Sequence, residues 1–169
     1  MAIVSNAVKE YLKEIYLKVS EDNPPQPGDA VLRKFFKLDN PDHKHQFITI
    51  ALPNDTDLKT LKKKIYSLDY KYLKGALLRV ENFSANGQNL HIHILKEHVY
   101  SKCRVIRDMS RKWKVEKNFV NVRLGKQESD YQHRLNYVNG LKKDDDKTAN
   151  VELDKKWRSE NGLDEIYII

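Results

Sequence analysis

The stretch Leu77-Leu-Arg-Val-Glu-Asn-Phe-Ser-Ala-Asn-Gly-Gln-Asn-Leu-His-Ile-His-Ile-Leu95 decides the fold. It holds most of two β-branched, apolar runs, Ala76–Phe83 and Asn89–Lys96, with Ser84-Ala-Asn-Gly-Gln88 between them. Asn-Gly accepts the positive φ angles that a reversal needs, so the runs are expected to pair as an antiparallel hairpin. Strand side chains alternate between faces with period two. Ile92 and Ile94 therefore share one face and suit a core, while His91 and His93 share the other.

Upstream, Gln46-Phe-Ile-Thr-Ile-Ala-Leu52 reads as a buried strand that Pro53-Asn-Asp55 ends. A helix opens at Asp55 with Leu58, Leu61, Ile65 and Leu68 inward and Lys59, Lys62, Lys63 and Lys64 over much of the rest. Downstream, residues 99–113 suit a basic helix, Asn118–Leu124 a fourth strand and residues 130–139 a further helix. A polar loop over 144–150 and a short helix over 152–161 follow. The order β-α-β-β-α-β-α matches an α+β, ferredoxin- or RRM-like split βαβ arrangement. Ahead of it, Ile3, Ala7, Val8, Tyr11, Leu12, Ile15 and Val19 mark one face of a helix over 3–19. Asn23-Pro-Pro-Gln-Pro-Gly-Asp29 then reads as a linker. Three segments are thus expected: 1–28 as helix and linker, 29–145 as the core domain and 146–169 as a C-terminal helical extension.

The chain has 169 residues and a formal charge of +7. Its single cysteine, Cys103, excludes an intramolecular disulfide and a Cys-based zinc site. No run approaches the roughly 20 apolar residues of a membrane span. The start, Met1-Ala-Ile-Val-Ser-Asn6, lacks the basic region of a signal peptide, so an intracellular location is expected. Excess positive charge favours a nucleic-acid partner.

Two imidazoles on one side of a strand are placed to hold one divalent ion, and imidazole suits Mn, Zn, Fe and Cu whereas Mg prefers oxygen. Glu81, across the Asn86-Gly87 turn, is the expected third ligand, because a carboxylate is otherwise out of place in Leu78-Arg-Val-Glu-Asn82. Such a set, with open positions, would act as a Lewis acid on a phosphate oxygen. Two histidines in a strand also suit a plain solvated sheet face. His43-Lys44-His45, with lysine at its centre, reads as a loop with solvated histidines, and His98 and His133 read as surface residues.

Asp130-Tyr-Gln-His-Arg-Leu-Asn-Tyr-Val-Asn139 holds two tyrosines. At about 100° per residue, Tyr131, Leu135 and Val138 form a stripe that should face the core, with Tyr137 roughly 120° from its centre. Tyr137 shares its side with Arg134 and Leu141. Its hydroxyl can enter a cleft, although a phenol of pKa near 10 attacks only when a metal or cation activates it. Gly140 is expected to end the helix, with Lys142 and Lys143 following within reach of a phosphate. A half-buried rim tyrosine is the structural alternative. With the histidines, phosphodiester transesterification becomes a coherent mechanism.

Together these segments resemble the HUH endonuclease superfamily, in particular the replication-initiator (Rep) endonuclease domains of circular single-stranded DNA viruses. Phe47-Ile-Thr-Ile-Ala-Leu52 is similar to the family's first motif strand, and His91-Ile-His93 matches its His-hydrophobic-His motif. Glu81 matches the place of the acidic metal ligand, and Tyr137, in Arg134-Leu-Asn-Tyr-Val-Asn-Gly-Leu-Lys142, that of the nucleophile. The likeness covers roughly residues 45–143. It departs at Gly140, where the family's Tyr-x-x-Lys motif has lysine, and Lys142 or Lys143 is the nearest substitute. Tyr131-Gln-His-Arg134 is a Tyr-x-x-Arg alternative.

The resemblance implies a nuclease core with a five-stranded antiparallel sheet, metal site on one face and helices on the other. It implies a divalent ion, Mn or Mg, held by Glu81, His91 and His93, and attack by Tyr137, supported by Lys142, on single-stranded DNA at an origin stem-loop. The products would be a 5′-phosphotyrosine and a free 3′-OH that primes rolling-circle replication or rejoins the strand. A helicase domain or host replication proteins are implied as partners, and the host nucleus as location if the source is a eukaryotic virus. No Gly-x-x-x-x-Gly-Lys-Ser/Thr loop occurs, so a nuclease domain apart from its helicase, or one that borrows a helicase, is expected.

Strand parity puts Arg79 with Glu81 and Asn121 with Arg123, and with Arg134 these are the expected DNA contacts. Lys102-Cys-Arg-Val-Ile-Arg107 and Arg111-Lys-Trp-Lys114 would track a strand, with Trp113 stacking on a base; a solvated helix face is the alternative. The competing function is a non-catalytic RRM-like nucleic-acid-binding domain, although its aromatic sheet motif is not evident. A relaxase or transposase of the same superfamily is a third reading.

Overall fold

Period-two patterning produces the strands. β1 (His45–Ala51), β2 (Leu77–Ser84), β3 (Gly87–Glu97) and β4 (Val120–Gly125) each turn one row of apolar side chains into the core. The computed structural model describes residues 11, 12, 14, 15, 43–84, 86–141 and 145–169. The chain divides into two compact units, Met1–Pro41 and Asp42–Ile169. Of the first, Tyr11, Leu12, Glu14 and Ile15 are helical, and the rest of the expected 3–19 helix and the linker lie outside the described residues.

The second unit is an α+β fold on a five-stranded antiparallel sheet of order β4-β1-β3-β2-β5, where β5 is Tyr167–Ile168. α1 (Leu58–Tyr66) carries the chain from β1 to β2, and α2 (Lys102–Trp113) from β3 to β4. β3 lies between β1 and β2 and runs antiparallel to both, which is the split βαβ arrangement. Asp57 starts α1 by accepting the Thr60 amide at 2.8 Å, one of the donors a helix start leaves unpaired. Leu61 and Ile65 of α1, and Val105, Met109 and Trp113 of α2, join Ile48, Ile50, Val80, Ile92 and Ile94 in one buried cluster. The expected stacking role of Trp113 is therefore corrected. It closes the apolar stripe of α2 and is only 3% exposed, out of reach of a base.

α3 (Glu128–Val138) borders the other face of the sheet, where the histidines lie. α4 (Asp145–Glu160) starts well before the short helix expected over 152–161 and takes up most of the expected polar loop. It packs along β2, whose outer edge would otherwise expose unpaired amides. Asp154 accepts the Asn82 and Phe83 amides there, and Arg158 donates to the Val80 carbonyl at 2.9 Å. β5 pairs with Leu77 and Leu78, so the C-terminal segment completes the sheet. No helix among the described residues is long and apolar enough to cross a membrane.

His45 is buried, contrary to the expected solvated loop. It opens β1 opposite Gly125, where an added Cβ would lie 2.0 Å from its Nε2, so only glycine leaves room for the imidazole.

Lys96 shares the helix-covered face with Ile92 and Ile94, 7% exposed, its ammonium 5.7 Å from the Tyr72 ring centre. Burial pushes its pKa from 10.5 down to about 8. Lys96→Met should therefore stabilise the fold by about 2 kcal/mol at neutral pH. The unfolded chain binds the extra proton between about pH 8 and 10.5, so the gain is full below pH 8 and fades as pH rises towards 10.5. Denaturant titrations at pH 7 and pH 10 check this, and equal midpoint shifts at the two values would reject it.

Candidate metal centre and its tyrosine

Directly opposed residues of paired strands share a face. Arg79 faces His93, His93 faces Thr49, and Thr49 faces Asn121, so one row of polar side chains crosses four strands. Glu81 faces His91 in the neighbouring row. Just beyond it the pairing shifts by one residue, with Asn89 and Leu90 of β3 bulging opposite Asn82 alone, and the Asp154 carboxylate accepts the Asn82 amide at 2.6 Å and the Phe83 amide at 3.1 Å. Bulges of this kind aim a side chain beside a site.

Glu81, His91 and His93 are all buried. Glu81 Oε2 lies 3.2 Å from His91 Nε2 and 3.5 Å from His93 Nε2. His91 Nδ1 contacts the Asn89 carbonyl, which can only accept, so Nδ1 carries the proton and the neutral ring keeps its lone pair on Nε2. His93 Nδ1 lies 3.1 Å from Thr49 Oγ1, which leaves its Nε2 on the Glu81 side. Ligands about 2.1 Å from an ion, at octahedral to tetrahedral angles, are about 3.0–3.4 Å apart. The Glu81–His91 spacing falls in that range and the Glu81–His93 spacing lies about 0.1 Å beyond it, so a small shift lets the group hold a metal ion, and two imidazoles with one carboxylate suit Mn better than Mg.

Arg79 is corrected as a DNA contact. It is 3% exposed, with Nε 3.5 Å from Glu81 Oε1 and Nη1 donating to the Val138 carbonyl at 3.1 Å. Tyr137 is half-buried at the end of α3, its ring edge-on to His93 at 5.2 Å and to Phe47 at 6.0 Å between centres. Burial, with the Glu81 and Asp154 charges, pushes the Tyr137 hydroxyl up to about 12, while Arg79 opposes them. Tyr131, by contrast, packs on His45 and donates to Glu97 at 3.2 Å. Lys142 and Lys143 lie outside the described residues.

A cleft of about 400 Å³ opens between α3 and the sheet beside Tyr137 and His93. Asn121, Arg123 and Arg134 line it, as does the exposed His133. Arg123 is exposed, and the Arg134 guanidinium lies 5.9 Å over the Phe47 ring. Phe47, Thr49 and Asp154 were not expected as site residues. The first two carried a signal: they have the parity opposite to Ile48 and Ile50, which puts them on the histidine face. No family model, curated protein or solved structure matches the chain.

Proposed function

We propose that this protein is a metal-dependent single-stranded DNA nicking and joining enzyme of the HUH endonuclease type, with Tyr137 as its nucleophile. The reading rests on one observation, the Tyr137 ring beside His93 in an open cleft that borders the buried Glu81–His91–His93 group. Glu81, His91 and His93 would hold a divalent ion, Mn or Mg, which supplies Lewis-acid polarisation of a phosphate. Arg123 and Arg134 attract the phosphate backbone into the cleft, and Asn121 offers a neutral donor and acceptor there. Thr49 and the Asn89 carbonyl fix the two imidazoles, and Phe47 stacks on His93 at 5.1 Å.

Tyr137 Oη attacks phosphorus and loses its proton to solvent in the open cleft. The bond from phosphorus to the 3′-oxygen breaks, and that oxygen leaves as a 3′-OH after taking up a proton. A 5′-phosphotyrosine link remains, close in energy to the bond broken, so the 3′-OH can later reverse the step and rejoin the strand.

Incubation with stem-loop and single-stranded DNA plus Mn²⁺ should give a covalent protein–DNA adduct stable to SDS, and a chelator should abolish it. Binding of DNA or RNA without any adduct, and with an affinity that chelation leaves unchanged, would instead identify a non-catalytic nucleic-acid-binding domain.

A further inference from the structure

Each nitrogen of the buried Arg79 guanidinium meets a different element. Nε faces Glu81 on β2, Nη1 donates to the Val138 carbonyl at the end of α3, and Nη2 lies 3.4 Å from Glu165 Oε2 in the C-terminal segment. Glu165 in turn takes Arg158 Nη2 at 2.7 Å. Val138 follows Tyr137 directly, so its carbonyl reports where the last turn of α3 sits. Gly140 fits against the same guanidinium at φ +81°, and a Cβ there would lie 2.9 Å from Nη2.

We infer that Arg79 is a positioning residue that locks the Tyr137 turn of α3 to the Glu81 carboxylate. The hydroxyl and the metal-ligand group then share one rigid frame. A planar fork can serve three acceptors in fixed directions, whereas an ammonium is a single compact donor centre, so lysine cannot replace it. The catalytic meaning of this latch rests on the nuclease reading; its structural part does not.

Hydrogen exchange of the metal-free protein reads the latch without DNA. The amides of Asn139, Gly140 and Leu141 bond to the carbonyls of Leu135, Tyr137 and Asn136. In Arg79→Lys they should exchange about tenfold faster, with the Ile92 and Ile94 amides unchanged. Mn²⁺ affinity should stay within about threefold of wild type, while adduct formation at saturating Mn²⁺ falls about tenfold or more, because misplacing a nucleophile costs rate rather than metal binding. Gly140→Ala, which keeps every charge, should reproduce the pattern from the other side. Unchanged exchange in both variants overturns the latch, and faster exchange with wild-type cleavage overturns its positioning role. If the wild type forms no adduct, the nuclease reading falls, and exchange alone decides whether Arg79 holds the turn.

Discussion

Tyr137→Phe should lose metal-dependent adduct formation by roughly a thousandfold or more, since no oxygen is left to form the covalent bond. The substitution deletes one atom, and the ring contacts with His93 and Phe47 remain. DNA binding should stay within about twofold of wild type, because Arg123 and Arg134 are untouched. Folding should not suffer either: the phenol proton is bound more tightly in the folded state, and at neutral pH both states are protonated. Tyr131→Phe is the control, because the Tyr131 hydroxyl is engaged by Glu97. Gel separation of the SDS-stable adduct distinguishes the two. An adduct that survives Tyr137→Phe and disappears in Tyr131→Phe would move the nucleophile to Tyr131.

The sheet and its histidine face were legible because period-two alternation is a local signal. Ile92 and Ile94 against His91 and His93, and Ile48 and Ile50 against Phe47 and Thr49, assign both faces without knowledge of partners. The Glu81–His91 pairing was legible through the Asn86-Gly87 turn, because a hairpin joins neighbours in sequence. Long-range contacts left less trace. β5 is two residues long, too short for any pattern. α4 packs along a strand edge through Asp154 and Arg158, so its inward groups are partly charged and no clean apolar stripe marks its length. His45 is buried because Gly125, eighty positions later, makes room for it. Trp113 was open to a better reading: Val105, Met109 and Trp113 recur every four residues, the spacing of a helix face turned inward. Arg79 has the parity of the site face, but only the fold shows that α3 closes over it.

Asp154→Ala should cost about 3 kcal/mol of stability and also weaken metal binding. Its carboxylate is 1% exposed and takes two successive amides of β2 at the bulge after Glu81. Alanine would orphan both amides, and each buried donor left unpaired costs about 1–3 kcal/mol, less where water can follow. In a unit of this size that lowers the melting temperature by roughly 10 °C. The consequence for the site is geometric. With no anchor, β2 can slip against β3 and absorb the one-residue bulge that Asn89 and Leu90 make, and a one-residue slip turns a side chain to the opposite face. Glu81 would then leave the Nε2 atoms of His91 and His93, and Mn²⁺ affinity should fall about tenfold or more. Asp154→Asn keeps an oxygen in place to accept and should lose about 1 kcal/mol, with metal binding near wild type. Thermal melts and calorimetric Mn²⁺ titrations separate the two effects. An Asp154→Ala protein that melts within about 2 °C of wild type would show that the bulge holds without its α4 anchor. One that melts lower yet binds Mn²⁺ unchanged would show that Glu81 is aimed by the hairpin pairing alone.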